Sequence, residues 1–344
     1  MASEDEVRQA LRWQGEYCAK NDAPITAAVC MALAERLDHD SGTGRRALGW
    51  AGHPIGDALP LRLAAPFHAL ARAGRSAALA PLYAGDLAVA GDAVAQAVAE
   101  HDTEILPWLD SPPQTNEPAR SGELMAGLIA LAARHGLPFE LLEIGSSAGL
   151  NLMIDRYRYD LGGATIGPAD SPVTIHPEWR GTPPSSAEVR IASTRGVDIA
   201  PIDIAAPGAT DRLLAYVWVD QKDRFARMER ALAMAAAQPP RLDRGDAADW
   251  VEARLAEPQA EGTCRVLMHS IVWQYLSGDS QRRIEAAMER AGAVATPTKA
   301  LGWVTYEADR SLGRHYLTVR SWPGHGEEKT VAQAHPHGAW IETL

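Results

Sequence analysis

Apolar residues recur at helical spacing through the first hundred or so positions, whereas beyond residue 139 they gather into short runs separated by turns and amphipathic stretches. Ser3 and Glu6 form a capping box ahead of Val7, Ala10 and Leu11, and Ala/Leu-rich segments at about 25–38, 57–74 and 91–106 continue the helical pattern. No strand pattern interrupts them. The Pro-rich segment 107–121 marks a boundary, and helical periodicity returns over 118–135. Next come the runs FELLEI (139–144), VRIASTRGVDI (189–199), RLDRGDAADW (241–250), CRVLMHS (264–270), ALGWVTYE (300–307) and HYLTVRSW (315–322). Helical patterns at 220–237 and 280–292 separate several of these runs, and such alternation predicts a mostly parallel sheet with helices on both faces. The last two runs lie close enough for an antiparallel hairpin. Pro168, Pro172, Pro177, Pro183 and Pro184 make 158–187 read as an irregular insertion. The expected organisation is therefore a helical N-terminal region, 1–115, that caps an α/β domain of residues 116–344.

Composition narrows the partners. A chain of 344 residues with 46% hydrophobic and 22% charged side chains has ample material for a core. Its net charge of −11 opposes nucleic-acid backbones and anionic lipid, so neither is favoured as a partner. The acidic, amphipathic start does not read as a signal peptide, and no apolar stretch is long enough for a membrane span. Cys18, Cys30 and Cys264 lack CxxC spacing, which argues against a disulfide framework or a thiolate zinc site and for a reduced cytoplasm. His325, His335 and His337 cluster near the C-terminus without a metal-binding motif. They read as loop and hairpin residues, and no metal is expected.

The stretch 139–152, FELLEIGSSAGLNL, carries the candidate chemistry. GSSAG satisfies G-x-S-x-G, which would make Ser147 the nucleophile of an α/β-type serine hydrolase, with Asp246 and His269 or His325 completing a triad. Such an elbow follows several strands, and only helices precede Phe139. A strand followed by an acid and spaced glycines also suits a nucleotide turn at the head of a doubly wound sheet. The stretch lacks the G-x-G-x-x-G dinucleotide fingerprint. It resembles the first motif of class I S-adenosylmethionine-dependent methyltransferases, E/D-x-G-x-G-x-G, with Glu143, Gly145, Ser147 and Gly149 in the motif positions and Ser147 replacing the middle glycine. The resemblance covers about 139–344 and implies a Rossmann-like fold with S-adenosylmethionine as cofactor.

That resemblance implies roles for further residues. Asp198, ending the second strand, would bind the ribose hydroxyls; Asp160 is the alternative, but too few residues separate it from Gly149 for a helix, a loop and a strand. Asp246, with Ala247 beside it, would meet the adenine, and Trp273 and Tyr275 would line the acceptor pocket. His269, closing its strand, reads either as a structural residue or as a general base. Arg120 is placed to reach a cofactor carboxylate, and Asn116 to cap a helix. The implied function is methyl transfer to a small molecule. The alternatives are the serine hydrolase and a non-catalytic protein that binds the cofactor or serves as a scaffold. The whole chain is also similar to an uncharacterised bacterial protein family, which implies no activity.

Overall fold

A computed structural model describes residues 2–309 and 311–344. Six helices come first: α1 (Glu4–Lys20), α2 (Pro24–Arg36), α3 (Gly42–Leu48), α4 (Leu59–Arg72), α5 (Leu79–Tyr83) and α6 (Ala90–Ile105). Then follow α7 (Ser121–His135), β1 (Phe139–Ile144), β2 (Arg158–Leu161), β3 (Ala164–Ile166), β4 (Thr174–Ile175), β5 (Glu178–Arg180) and β6 (Ile191–Asp198). The chain continues through α8 (Ala209–Ala215), α9 (Lys222–Ala237), β7 (Leu242–Arg244), α10 (Ala247–Ala256), β8 (Thr263–Ser270) and α11 (Gly278–Ala293). It ends with β9 (Lys299–Asp309), β10 (Arg314–Trp322), β11 (Lys329–Ala334) and β12 (Trp340–Thr343). None of the helices among the described residues is long and apolar enough to cross a membrane.

The chain divides into two compact units. The first combines the residues up to Thr115 with Ala206–Glu229, and the second holds Asn116–Ala205 and Arg230–Leu344. The helical unit is thus not the contiguous 1–115 region that the Pro-rich boundary suggests. Its second segment has a structural task that explains the difference. Asp220 accepts hydrogen bonds from the Ile25 and Thr26 amides, at 2.8 and 3.1 Å, and from the Thr26 hydroxyl at 2.8 Å. These amides belong to the first turn of α2, whose own N-cap, Ala23, supplies no side-chain bond. Trp218 packs into the same place against Cys18, Ala23 and Ala27.

The second unit is built on a nine-stranded sheet in the order β5-β12-β11-β10-β9-β8-β1-β6-β7. The five strands β7, β6, β1, β8 and β9 run parallel, and β9-β10, β10-β11 and β11-β12 are antiparallel pairs. It is an α/β unit with a mostly parallel central sheet and C-terminal antiparallel strands. β1 and β8 are buried along nearly their whole length, as parallel strands covered on both faces must be. Helix α7 lies close on one face, where Gly127 leaves room for Val304 of β9. Residues of α10 and α11 pack on the other face with Leu142, Leu267 and Trp303.

Three sequence expectations change. In 241–250 only Leu242–Arg244 is strand, because Asp246 caps α10 and turns the remainder into helix. Segment 158–187 is not wholly irregular: β3-β2-β4 form a small sheet whose central strand carries the buried Tyr159, with the buried Tyr157 just before it, and β5 extends the edge of the main sheet. Strands β11 and β12 are additional, being short and half exposed and so lacking a clear apolar run.

Candidate functional site

β1 lies between two parallel neighbours, with Ile144 opposite Val197 of β6 and Glu143 opposite Met268 of β8. From β1 the chain proceeds through β6 and β7 on one side and then crosses to β8 and β9 on the other. The carboxyl ends of β1 and β8 therefore flank a topological switch point, the place where open α/β sheets leave a crevice.

The turn after β1 has φ values of +66° at Gly145, +53° at Ser147 and +75° at Gly149. Internal bonds hold it: the Gly149 amide donates to Ser146 O at 2.7 Å, the Ser146 hydroxyl to Glu143 O at 3.0 Å, and the Ser146 amide to Val197 O at 3.1 Å. The Leu150 amide donates to Asn116 Oδ1 at 3.0 Å. Asn116 thus ties down this turn instead of capping the helix that follows it. Neighbouring side chains pack closely against both glycines. A methyl group at Gly145 would overlap Val272, and one at Gly149 would overlap Pro240.

Glu143 projects into the protein and is 2% exposed. Burial pushes its carboxyl up to about 8, the side chains of Asn151 and Ser146 oppose that rise, and repulsion from Asp198 adds to it. Its Oε1 accepts from Asn151 Nδ2 at 3.3 Å, while Oε2 has no partner among the described residues. Ser147 Oγ and Asn151 Oδ1 are likewise buried and unpartnered there. The Glu143 carboxyl, once ionised, would offer acceptor capacity together with the Asn151 amide carbonyl and the Ser147 hydroxyl of the same turn, a set suited to a donor-rich, positively charged group that favours the ionised form.

Asp198 stands at the end of β6 beside this turn, accepting from the Ser147 amide and the Ala200 amide, each at 2.8 Å. Asp160 lies elsewhere, in β2, where it accepts from Gly163 N. Asp246 is the exposed N-cap of α10 and accepts from the Ala248 and Asp249 amides; Ala247 opens that helix. Arg120 is buried, and its Nε donates to Pro336 O at 3.0 Å.

His269 belongs to a different cluster. Side chains alternate along β8, so His269 shares the face of Leu267 and lies opposite that of Met268, the neighbour of Glu143. Its Nδ1 donates to Glu307 Oε1 at 2.7 Å and its Nε2 accepts the Trp303 indole N–H at 3.1 Å. The ring stacks on Trp273 with centroids 5.2 Å apart. Both nitrogens are thus engaged and the residue is 1% exposed, which corrects its reading as a general base. Tyr275 is 63% exposed. The hydrolase constellation is not assembled either, since Ser147 Oγ meets no histidine and His269 already holds two other partners.

The two clusters meet through Val272. Its amide donates to the same Glu307 oxygen at 3.1 Å, and its side chain covers Gly145. Ile271 before it adopts φ +54°, a strained conformation for a β-branched residue. Sequence reading missed Asn151, Trp303 and Glu307. Of these, only Glu307 left a trace, as the acid at the end of the apolar run ALGWVTYE (300–307).

The model of one protein family matches residues 8–343, nearly the entire chain. The chain belongs to DUF2332, a family of uncharacterised proteins conserved in bacteria. Neither the curated proteins nor the solved structures contain a match to this DUF2332 member. Among its described residues no group of three or more His, Cys, Asp or Glu side chains could hold a metal ion.

Proposed function

We propose that this protein is an S-adenosylmethionine-dependent methyltransferase acting on a small-molecule acceptor, with its cofactor at the β1 turn. The observation that carries the reading is the buried Glu143 carboxylate at the head of that turn, half satisfied and beside two further unpartnered acceptors. Such a set fits the α-ammonium group of the cofactor's methionine moiety, whose N–H donors would charge-assist each bond. The parallel order β7-β6-β1-β8-β9, with helices on both faces and the chain reversing at β1 and β8, supports a Rossmann-like, doubly wound reading.

Bound there, the cofactor supplies a methyl group on a positively charged sulfur. Glu143, Ser147 and Asn151 would hold its amino end. The carboxylate of Asp198 accepts two amide bonds and retains lone pairs for the ribose hydroxyls. Ile199, next to it and 72% exposed, offers an apolar surface for the adenine ring. Because His269 has both nitrogens engaged, the acceptor is one that needs no proton removed by that side chain. Positioning of acceptor and methyl group would then supply most of the acceleration.

Calorimetry with S-adenosylhomocysteine tests the reading. Asp198→Ala should weaken binding roughly ten- to a hundredfold while Asp160→Ala leaves it unchanged, each with a melting control because Asp198 also holds the turn. No heat and no thermal shift with wild-type protein at millimolar ligand would end the assignment.

A further inference from the structure

The helical unit contains a cleft of about 300 Å³ whose apolar floor includes Ala69 and Leu70 and whose walls include Arg72, Arg75, Trp108 and Asp211. This volume suits a small molecule. Arg72 is its most informative member. The side chain is only 25% exposed, and its guanidinium lies 4.8 Å from the Phe225 ring centroid and 3.7 Å from Asp211 Oδ1. The latter is an ion-pair distance too long for a hydrogen bond, and Arg72 makes none among the described residues. The stacked guanidinium lines the cleft, and apart from the long ion pair to Asp211 its N–H donors meet no protein acceptor at hydrogen-bond distance among the described residues.

The surroundings sharpen the ligand class. Arg75 and Glu104 form an ion pair at 2.5 Å, and Glu104 also binds His101 Nδ1 at 3.0 Å, so these charges are largely balanced within the wall. The Trp108 ring lies under the Arg212 guanidinium at 4.5 Å, and that group is anchored by a 2.8 Å bond to Ser111. Trp108 also lines the cleft, and its indole N–H has no acceptor among the described residues. Asp211 is 76% exposed and is the one carboxylate that competes for Arg72.

We infer that this cleft binds a small organic carboxylate with an apolar body, the carboxylate on Arg72 and the body on Ala69, Leu70 and the Trp108 ring. The site lies wholly within the helical unit and stands or falls independently of the cofactor reading. The probes are phenylacetate, its neutral analogue 2-phenylethanol and its cationic analogue phenethylamine, titrated into the full chain and followed by ligand-observed NMR. Phenylacetate should bind at about millimolar or tighter, and the other two at least about tenfold more weakly. Arg72→Gln should weaken phenylacetate about tenfold or more, whereas Asp211→Asn, which removes the competing charge from an exposed position, should strengthen it about threefold. Equal binding of all three probes, or no phenylacetate binding, overturns the site. Should Arg72→Gln fail to fold, Asp211→Asn decides alone, and unchanged phenylacetate affinity in that variant is the overturning result.

Discussion

Glu143 shows how one buried group couples charge to stability. Its carboxyl titrates near 4.5 when unperturbed and is pushed up to about 8 in the folded protein. Between those values the folded state retains a proton that the unfolded chain has released. The stabilisation is full below about pH 4.5 and is lost as pH rises towards 8, at about 1.4 kcal/mol per unit. Glu143→Gln should therefore flatten the fall in melting temperature between pH 5 and pH 8, and matching pH profiles for wild type and variant would refute the burial argument. Ligand binding should carry the opposite sign. An ammonium group prefers the carboxylate, so the affinity for S-adenosylhomocysteine should climb as pH rises towards 8, with protons released on binding. Calorimetry in buffers of different ionisation enthalpy measures that release, and in Glu143→Gln it should vanish.

Two turns at the carboxyl ends of β1 and β8 act as a single packed element. Gly145 tolerates no side chain because of its φ of +66° and the Val272 contact, so Gly145→Ala should cost about 2–4 kcal/mol in chemical denaturation. Glu307 anchors the partner turn through one oxygen that accepts from both His269 and Val272. Glu307→Gln retains an oxygen that can accept both bonds, whereas Glu307→Leu leaves two buried donors unpaired. The first should melt close to wild type and the second should lose about 3–5 kcal/mol. Equal losses in the two variants would show that charge, not the shared acceptor, holds the turn.

At the level of the molecule, the helical unit depends on two separate pieces of chain. A fragment ending at Thr115 lacks Trp218 and the Asp220 carboxylate that completes the first turn of α2. It should show no cooperative thermal transition, although its six helices have strong local patterns. In the full chain, Asp220→Ala should lower stability by about 1–2 kcal/mol, the usual cost of a lost helix cap. Cooperative melting of the fragment at wild-type temperature would show that the returning segment is dispensable.

What the chain determines locally was legible without coordinates. The capping box at Ser3 and Glu6, the helices ending near 36, 72 and 105, the buried strand FELLEI and its glycine turn, and the β9-β10 hairpin all follow from periodicity and local backbone preference, which act within a few residues. The position of Asp198 beside the β1 turn was equally legible, because strand order along the chain constrained it. Tertiary structure decided the rest. Whether His269 faces a ligand or Trp303 depends on strand register and on side chains more than thirty residues away. That Gly145 is covered by Val272 reflects a contact between loops that no local pattern encodes. The return of residues 206–229 to the helical unit has the same origin: an unsatisfied helix terminus and an apolar surface accept any suitable cap and cover, and only the folded chain specifies which segment supplies them.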